Sequence, residues 1–159
     1  MAMVALIHIS VLFSMLLYIM AGRNWNFRRY DMIVNTVVDK TTSVMIHTVT
    51  GEITFEEAKS SYEKVLTHPD FHEHIYTIWD IRDADASKFE SQDVIRLARF
   101  FETQIKNRAK YKVAVIVSRD LEYGLSRMYQ VAAADLPAKI GIFINLEDAK
   151  KWVTGLDWA

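Results

Sequence analysis

KVAVIV, residues 112–117, decides how the rest of the chain must be read. A strand with one wet face alternates apolar and polar side chains, whereas an unbroken β-branched run suits a parallel strand covered on both faces. Residues 113–117 are therefore expected at the centre of a parallel sheet, and parallel neighbours require crossover helices on both sides in sequence.

Both flanks supply them. Downstream, Asp120 is placed to cap a helix with Leu121, Leu125, Met128 and Ala132 on one stripe. KIGIFIN then gives a last strand, and Asn145 to Asp148 opens a terminal helix carrying Ala149, Trp152 and Val153. Upstream, Ser91 is a candidate N-cap with Asp93 in the first turn, and the helix it starts, running to about Arg108, turns Val94, Leu97, Ala98, Phe101 and Ile105 inward. Residues 75–81 form the preceding strand. Before that, Thr54 and Glu57 have capping-box spacing, with Ile53 and Ala58 as the staple, and the helix they start buries Phe55, Ala58, Tyr62 and Val65 or Leu66 before HPDF stops it. Residues 33–38 and 44–50 are β-branched runs joined by DKTTS, the form of an antiparallel hairpin, with Gly51 closing the second. The order is β-β-α-β-α-β-α-β-α, an α/β domain with a mixed sheet of about five strands, and ligands are expected just beyond the carboxyl ends of its parallel strands.

Bulk properties narrow the function classes. The 159 residues are 51% hydrophobic, enough to build a core, and carry a formal net charge of -1, so no global field draws nucleic acid. The absence of cysteine excludes disulfides, thiolate metal sites and a cysteine nucleophile, and suits a reducing cytoplasm.

Residues 1–20, MAMVALIHISVLFSMLLYIM, contain no Asp, Glu, Lys or Arg. About 20 helical residues match a roughly 30 Å hydrocarbon layer, so a membrane span is the direct reading. Trp25, Phe27 and Tyr30 follow, interleaved with Arg23, Arg28 and Arg29, which places the following domain on the cytoplasmic side, anchored to an inner membrane. A second reading starts the native protein at Met32. A cleaved signal peptide fits less well, because no basic segment precedes the apolar run. Residues 1–30 are thus set apart from a domain over residues 31–159.

Taken together, the element order and the phrases GEITFEEA, HPDF, WDIRDAD, KVAVIV, DLEYGLSRMY and IFINLEDAKKWV resemble the SpoIIAA-like group of STAS domains, which are also compared with CRAL-TRIO lipid-binding proteins. The likeness runs from Ile33 to about Val153. It implies a regulatory or binding module without catalytic residues or cofactor. In better understood STAS proteins a partner kinase phosphorylates a serine in an Asp-Ser motif after the third strand. Here Asp85 is followed by Ala86, so that motif is absent, although Ser87 and Ser91 stand nearby.

Three groups of residues carry candidate chemistry. In TIWDIRDADAS, Asp80, Asp83 and Asp85 offer the hard oxygen ligands of a Mg²⁺ site, the basis of an alternative reading as a metal-assisted enzyme. No nucleophile, phosphate loop or matching lysine completes such a site, and Asp is also what a βα connection uses to bond its own amides, with Arg82 or Arg119 to neutralise Asp80. THPDFHEHIY gathers His68, His72 and His74, a spacing that a polar loop explains as well as a metal does. In DLEYGLSRMY, Gly124 in an early helical turn suggests a close approach, and Arg119, Tyr123 and Arg127 can meet an anionic group. Trp79, Phe100, Phe101, Met128, Tyr129 and Phe143 are candidates either for ordinary core or for a pocket taking a lipid-like ligand. The expectation is a non-enzymatic module that engages a protein partner or a small apolar molecule through Asp80, Arg82, Asp83, Arg119, Tyr123, Gly124 and Arg127. No cofactor, metal or nucleic acid is expected, and a homo-oligomer is compatible with it.

Overall fold

The computed structural model describes residues 31–72, 74–105 and 110–155. Its elements are β1 (Ile33–Asp39), β2 (Val44–Glu52), α1 (Phe55–Leu66), β3 (Tyr76–Asp85), α2 (Ser91–Ile105), β4 (Tyr111–Ile116), α3 (Asp120–Ala132), β5 (Ala138–Phe143) and α4 (Leu146–Thr154). The expected succession is the observed one. The strands form one mixed sheet in the order β1-β2-β3-β4-β5, with β1 antiparallel to β2 and all later neighbours parallel. Among the described residues no helix is long and apolar enough to cross a membrane. The span expected over residues 1–20 lies outside them.

Strands that follow one another across the sheet through right-handed crossovers put α1, α2 and α3 on one face. The opposite face is covered by α4, whose Ala149 and Val153 pack on Val44, Ile78, Ala114 and Ile116. Both faces of KVAVIV are therefore covered, as its continuous apolar character requires. The central strand, however, is β3, and β4 sits one place from the edge. Apolar continuity reports burial on two sides, not rank within the sheet.

Beneath α4 the sheet carries a buried cation. Lys112, fully buried, donates from Nζ to the carbonyls of Trp152 at 2.8 Å and Gly155 at 2.6 Å. Those are carbonyls at the C-terminal end of α4, where a helix leaves acceptors unused and where its dipole favours positive charge.

Several boundaries differ from expectation. Gly51 does not end β2; it adopts a φ of 86°, which glycine tolerates, and stays paired with Ala84. β3 does not stop at Ile81 but runs to Asp85, through a bulge that sets Ile81 and Arg82 opposite Val49 alone. The first residue of α2 is Ser91, and the N-cap position belongs to Glu90, whose carbonyl accepts from the amide of Val94 and whose own amide donates to Asp93 at 3.2 Å. Arg119, not Asp120, occupies the N-cap position of α3. The Thr54 cap is present, accepting from the Glu57 amide. Glu57 reaches back to the Thr54 hydroxyl and also accepts from the amide of Met32.

The largest departure is the rotation of α3. Leu121, Met128 and Ala132, expected inward, are exposed, and Val131 is 72% exposed. The face turned to the sheet carries Glu122, Leu125, Ser126 and Tyr129, all lining the space beneath the helix. A helix with apolar residues on two sides can be docked either way by its own periodicity, so the fit against α2 and the sheet decides.

Candidate functional site

Between the sheet and helices α1, α2 and α3 lies an apolar cavity of about 170 Å³. Its floor includes Trp79, Val113 and Val115, and its helical walls include Tyr62, Leu97 and Phe101. An enclosed cavity of about 150 Å³ lined by aliphatic and aromatic side chains admits benzene, and this partly open apolar space of similar size suits a small apolar molecule. Of the aromatic and Met residues suggested for a pocket, Trp79, Phe101 and Tyr129 line it. Phe143 is on the other face of the sheet against Trp152, Met128 is turned out, and Phe100 packs beside Tyr62 behind the wall.

Trp79 is held from behind by His47, their rings stacked with centroids 4.2 Å apart. Thr36 on β1 fixes the imidazole through Nδ1 at 2.9 Å. Among the described residues Nε2 is buried without a hydrogen-bond partner. Burial, with a lesser contribution from the charge of His68, pushes the His47 pKa down to about 4, so the ring is neutral at physiological pH. Burial also raises the Tyr129 phenol well above its ordinary value.

The ends of β2 and β3 form a second, shallow and polar cleft lined by Gly51, Glu52, Arg82, Asp83, Asp85 and Arg119. β3 projects past β4 here, since the two strands pair only from Thr77 to Asp80. Side chains take over the ladder: Ser118 donates to the Arg82 carbonyl at 3.0 Å, and the Arg119 guanidinium donates to the Ala84 carbonyl. Arg119 also clamps Glu122, with Nε 3.0 Å from Oε2 and Nη2 on Oε1. One ion pair thus separates the two depressions, Arg119 lining the polar cleft and Glu122 the apolar cavity.

Among the residues singled out from sequence, Arg82, Asp83 and Arg119 meet in this cleft. Asp80 points to the other side of β3 from Trp79 and Ile81, and it is Arg82, not Arg119, that neutralises it. The Arg82 hydrogen bonds hold its carboxyl below the usual carboxylate value. Asp85 accepts from the amide of Ser87 at 2.9 Å. Asp83 and Asp85 are strand residues, paired with Thr50 and Glu52, rather than residues of an exit loop. Among the described residues no three carboxylates or imidazoles gather as a metal site. In the histidine loop, His68 Nδ1 accepts from the amide of Asp70, which pairs with Lys40 at 2.8 Å. Tyr123, Gly124 and Arg127 lie outside the cleft on the exposed side of α3, and a side chain at Gly124 would meet nothing within 4 Å. Gly124 therefore does not mark a packing contact within the described chain.

Glu122, which as an anion opposes a negatively charged ligand at α3, and Ser126, which lacks a nearby His to make it a nucleophile, are not among the residues expected to bind; their i, i+4 spacing, with Tyr129 three residues further on, is the signal that places all three on one face.

The chain is similar to a solved structure with a SpoIIAA-like fold. That structure is an uncharacterized protein of the DUF3478 family from Shewanella loihica PV-4; the match has 19% sequence identity and a TM-score of 0.49, and covers 77% of this chain and 93% of that one. No family model and no curated protein matches the chain.

Proposed function

We propose that this chain is a binding module that holds a small apolar molecule between its sheet and helices α1 to α3. The observation that supports this reading is the cavity itself: native interiors fill such space with side chains, and here Val113 and Val115 of an internal strand are left only partly covered. The metal-assisted alternative has less behind it, since Arg82 engages both oxygens of Asp80 and the Asp85 carboxylate accepts from a backbone amide.

Ligand-observed NMR with toluene on the purified full-length chain tests the proposal. Saturable binding is expected, and Leu97→Trp, which fills the cavity, is expected to abolish it while the protein still melts cooperatively. Toluene binding unchanged in that variant, or absent from the wild type, overturns the assignment. Native mass spectrometry then reads out any molecule retained through purification.

A further inference from the structure

The cavity has a polar corner. Glu122, Ser126 and Tyr129 fall on one face of α3, and Thr77 of β3 stands on the sheet side of the same space. Glu122 is 1% exposed, Thr77 3% and Ser126 7%. Among the described residues no hydrogen bond engages the Ser126 hydroxyl, and its oxygen is not fully enclosed, so it is open to whatever occupies the space beneath α3. Both oxygens of Glu122 are held by Arg119, yet each keeps a second lone pair, so this carboxylate can still accept but cannot donate.

We infer that the ligand is a small neutral molecule with an apolar body and a hydroxyl group, a phenol or alcohol, whose O–H is received between Glu122 and Ser126 on the pocket side of α3; this rests on the binding role proposed above. The hydroxyl donates to Glu122 and accepts from the Ser126 hydroxyl. A ligand carboxylate is disfavoured because it would bring a second negative charge against Glu122, and Arg119, which does not line the cavity, is already committed to Glu122 and to the Ala84 carbonyl. An ammonium is disfavoured too, since the Arg119–Glu122 pair is already balanced and a further cation would be buried without its own counter-charge. The recognition is thus one of hydrogen bonding inside an apolar envelope, the case in which removing one polar group from the ligand costs most.

Three probes of similar shape separate the possibilities: toluene, benzyl alcohol and benzoate, titrated at neutral pH into the full-length chain. Benzyl alcohol is expected to bind about tenfold or more tightly than toluene, the scale of one satisfied buried hydrogen bond, and benzoate is expected to bind most weakly. Ser126→Ala is expected to erase most of the benzyl alcohol advantage over toluene. Ser126→Cys, which keeps the size of the side chain and weakens the hydrogen bond, serves the same purpose should the first variant fail to fold. Equal affinities for toluene and benzyl alcohol overturn the polar corner while leaving the cavity reading intact, as does a preference for benzoate. Failure of both neutral probes overturns the binding role on which it rests.

Discussion

Arg82 closes on Asp80 from two residues away on the same strand, with Nε 2.9 Å from Oδ1 and Nη2 2.7 Å from Oδ2. The Arg82 backbone amide adds a third contact at 3.3 Å, so the carboxylate that stood out in the sequence serves to tie down the bulge of β3. The guanidinium is partly open to solvent, which weakens the pair. Asp80→Asn is therefore expected to cost about 1–2 kcal/mol of stability, measured as a shift in urea midpoint. Because the Asp80 pKa is depressed in the folded protein, the contribution is complete above the ordinary carboxylate value of 3.8 and is lost as pH falls through the lower folded value. Asp80→Asn is expected to lack that component of acid sensitivity.

His47 sets a second pH dependence, in a different window. Its pKa falls from 6.5 in the unfolded chain to about 4 in the folded one, so between those values the unfolded state binds the extra proton. Stability is fully present above 6.5 and is lost as pH falls toward 4, by on the order of 3 kcal/mol at most. His47→Gln is expected to flatten the urea midpoint across this window. A midpoint in the wild type that does not change over it would show that His47 is not held neutral behind Trp79.

Two glycines respond in opposite directions to the same substitution. Gly124 lies in α3 with nothing within 4 Å of where a Cβ would sit, so Gly124→Ala is expected to raise stability by about 1 kcal/mol through helix propensity alone. At Gly141 on β5 an added Cβ would fall 2.6 Å from a Phe143 ring carbon and 3.1 Å from Trp152. Gly141→Ala is expected to lower stability by about 1–3 kcal/mol. Thermal denaturation of both variants side by side checks the pair.

Lys112 ties the C-terminal end of α4 to the sheet. Lys112→Met keeps most of the buried volume but withdraws the ammonium from the carbonyls of Trp152 and Gly155 at the end of α4. A loss of about 2–4 kcal/mol is expected, the cost of leaving buried acceptors without a charged donor. Hydrogen exchange is expected to speed up first in α4, since that helix loses its C-terminal partner.

The order of strands and helices was legible because it depends on local periods and caps. Thr54 and Asn145 announce α1 and α4 through hydrogen bonds made within three residues. β-Branched runs announce strands, and the unbroken apolar run 113–117 announces a strand with no wet face. Boundaries were less legible where a distant partner extends an element. β3 continues to Asp85 because β2 runs alongside it and because Ser118 and Arg119 take the carbonyls that β4 leaves open.

What the residues determined unaided is the succession of elements and the coverage of the sheet on both faces, since short-range hydrogen bonding and side-chain period encode both. What only the tertiary structure decided is which way α3 turns, and with it the candidate site. Leu121, Leu125, Met128 and Ala132 form as good an inward face on paper as Glu122, Leu125, Ser126 and Tyr129. The choice falls to the latter through the fit against α2 and the sheet, in which Arg119, anchored on the Ala84 carbonyl of a neighbouring strand, holds Glu122 under the helix. That contact joins residues 35 positions apart, a separation to which no local pattern is sensitive.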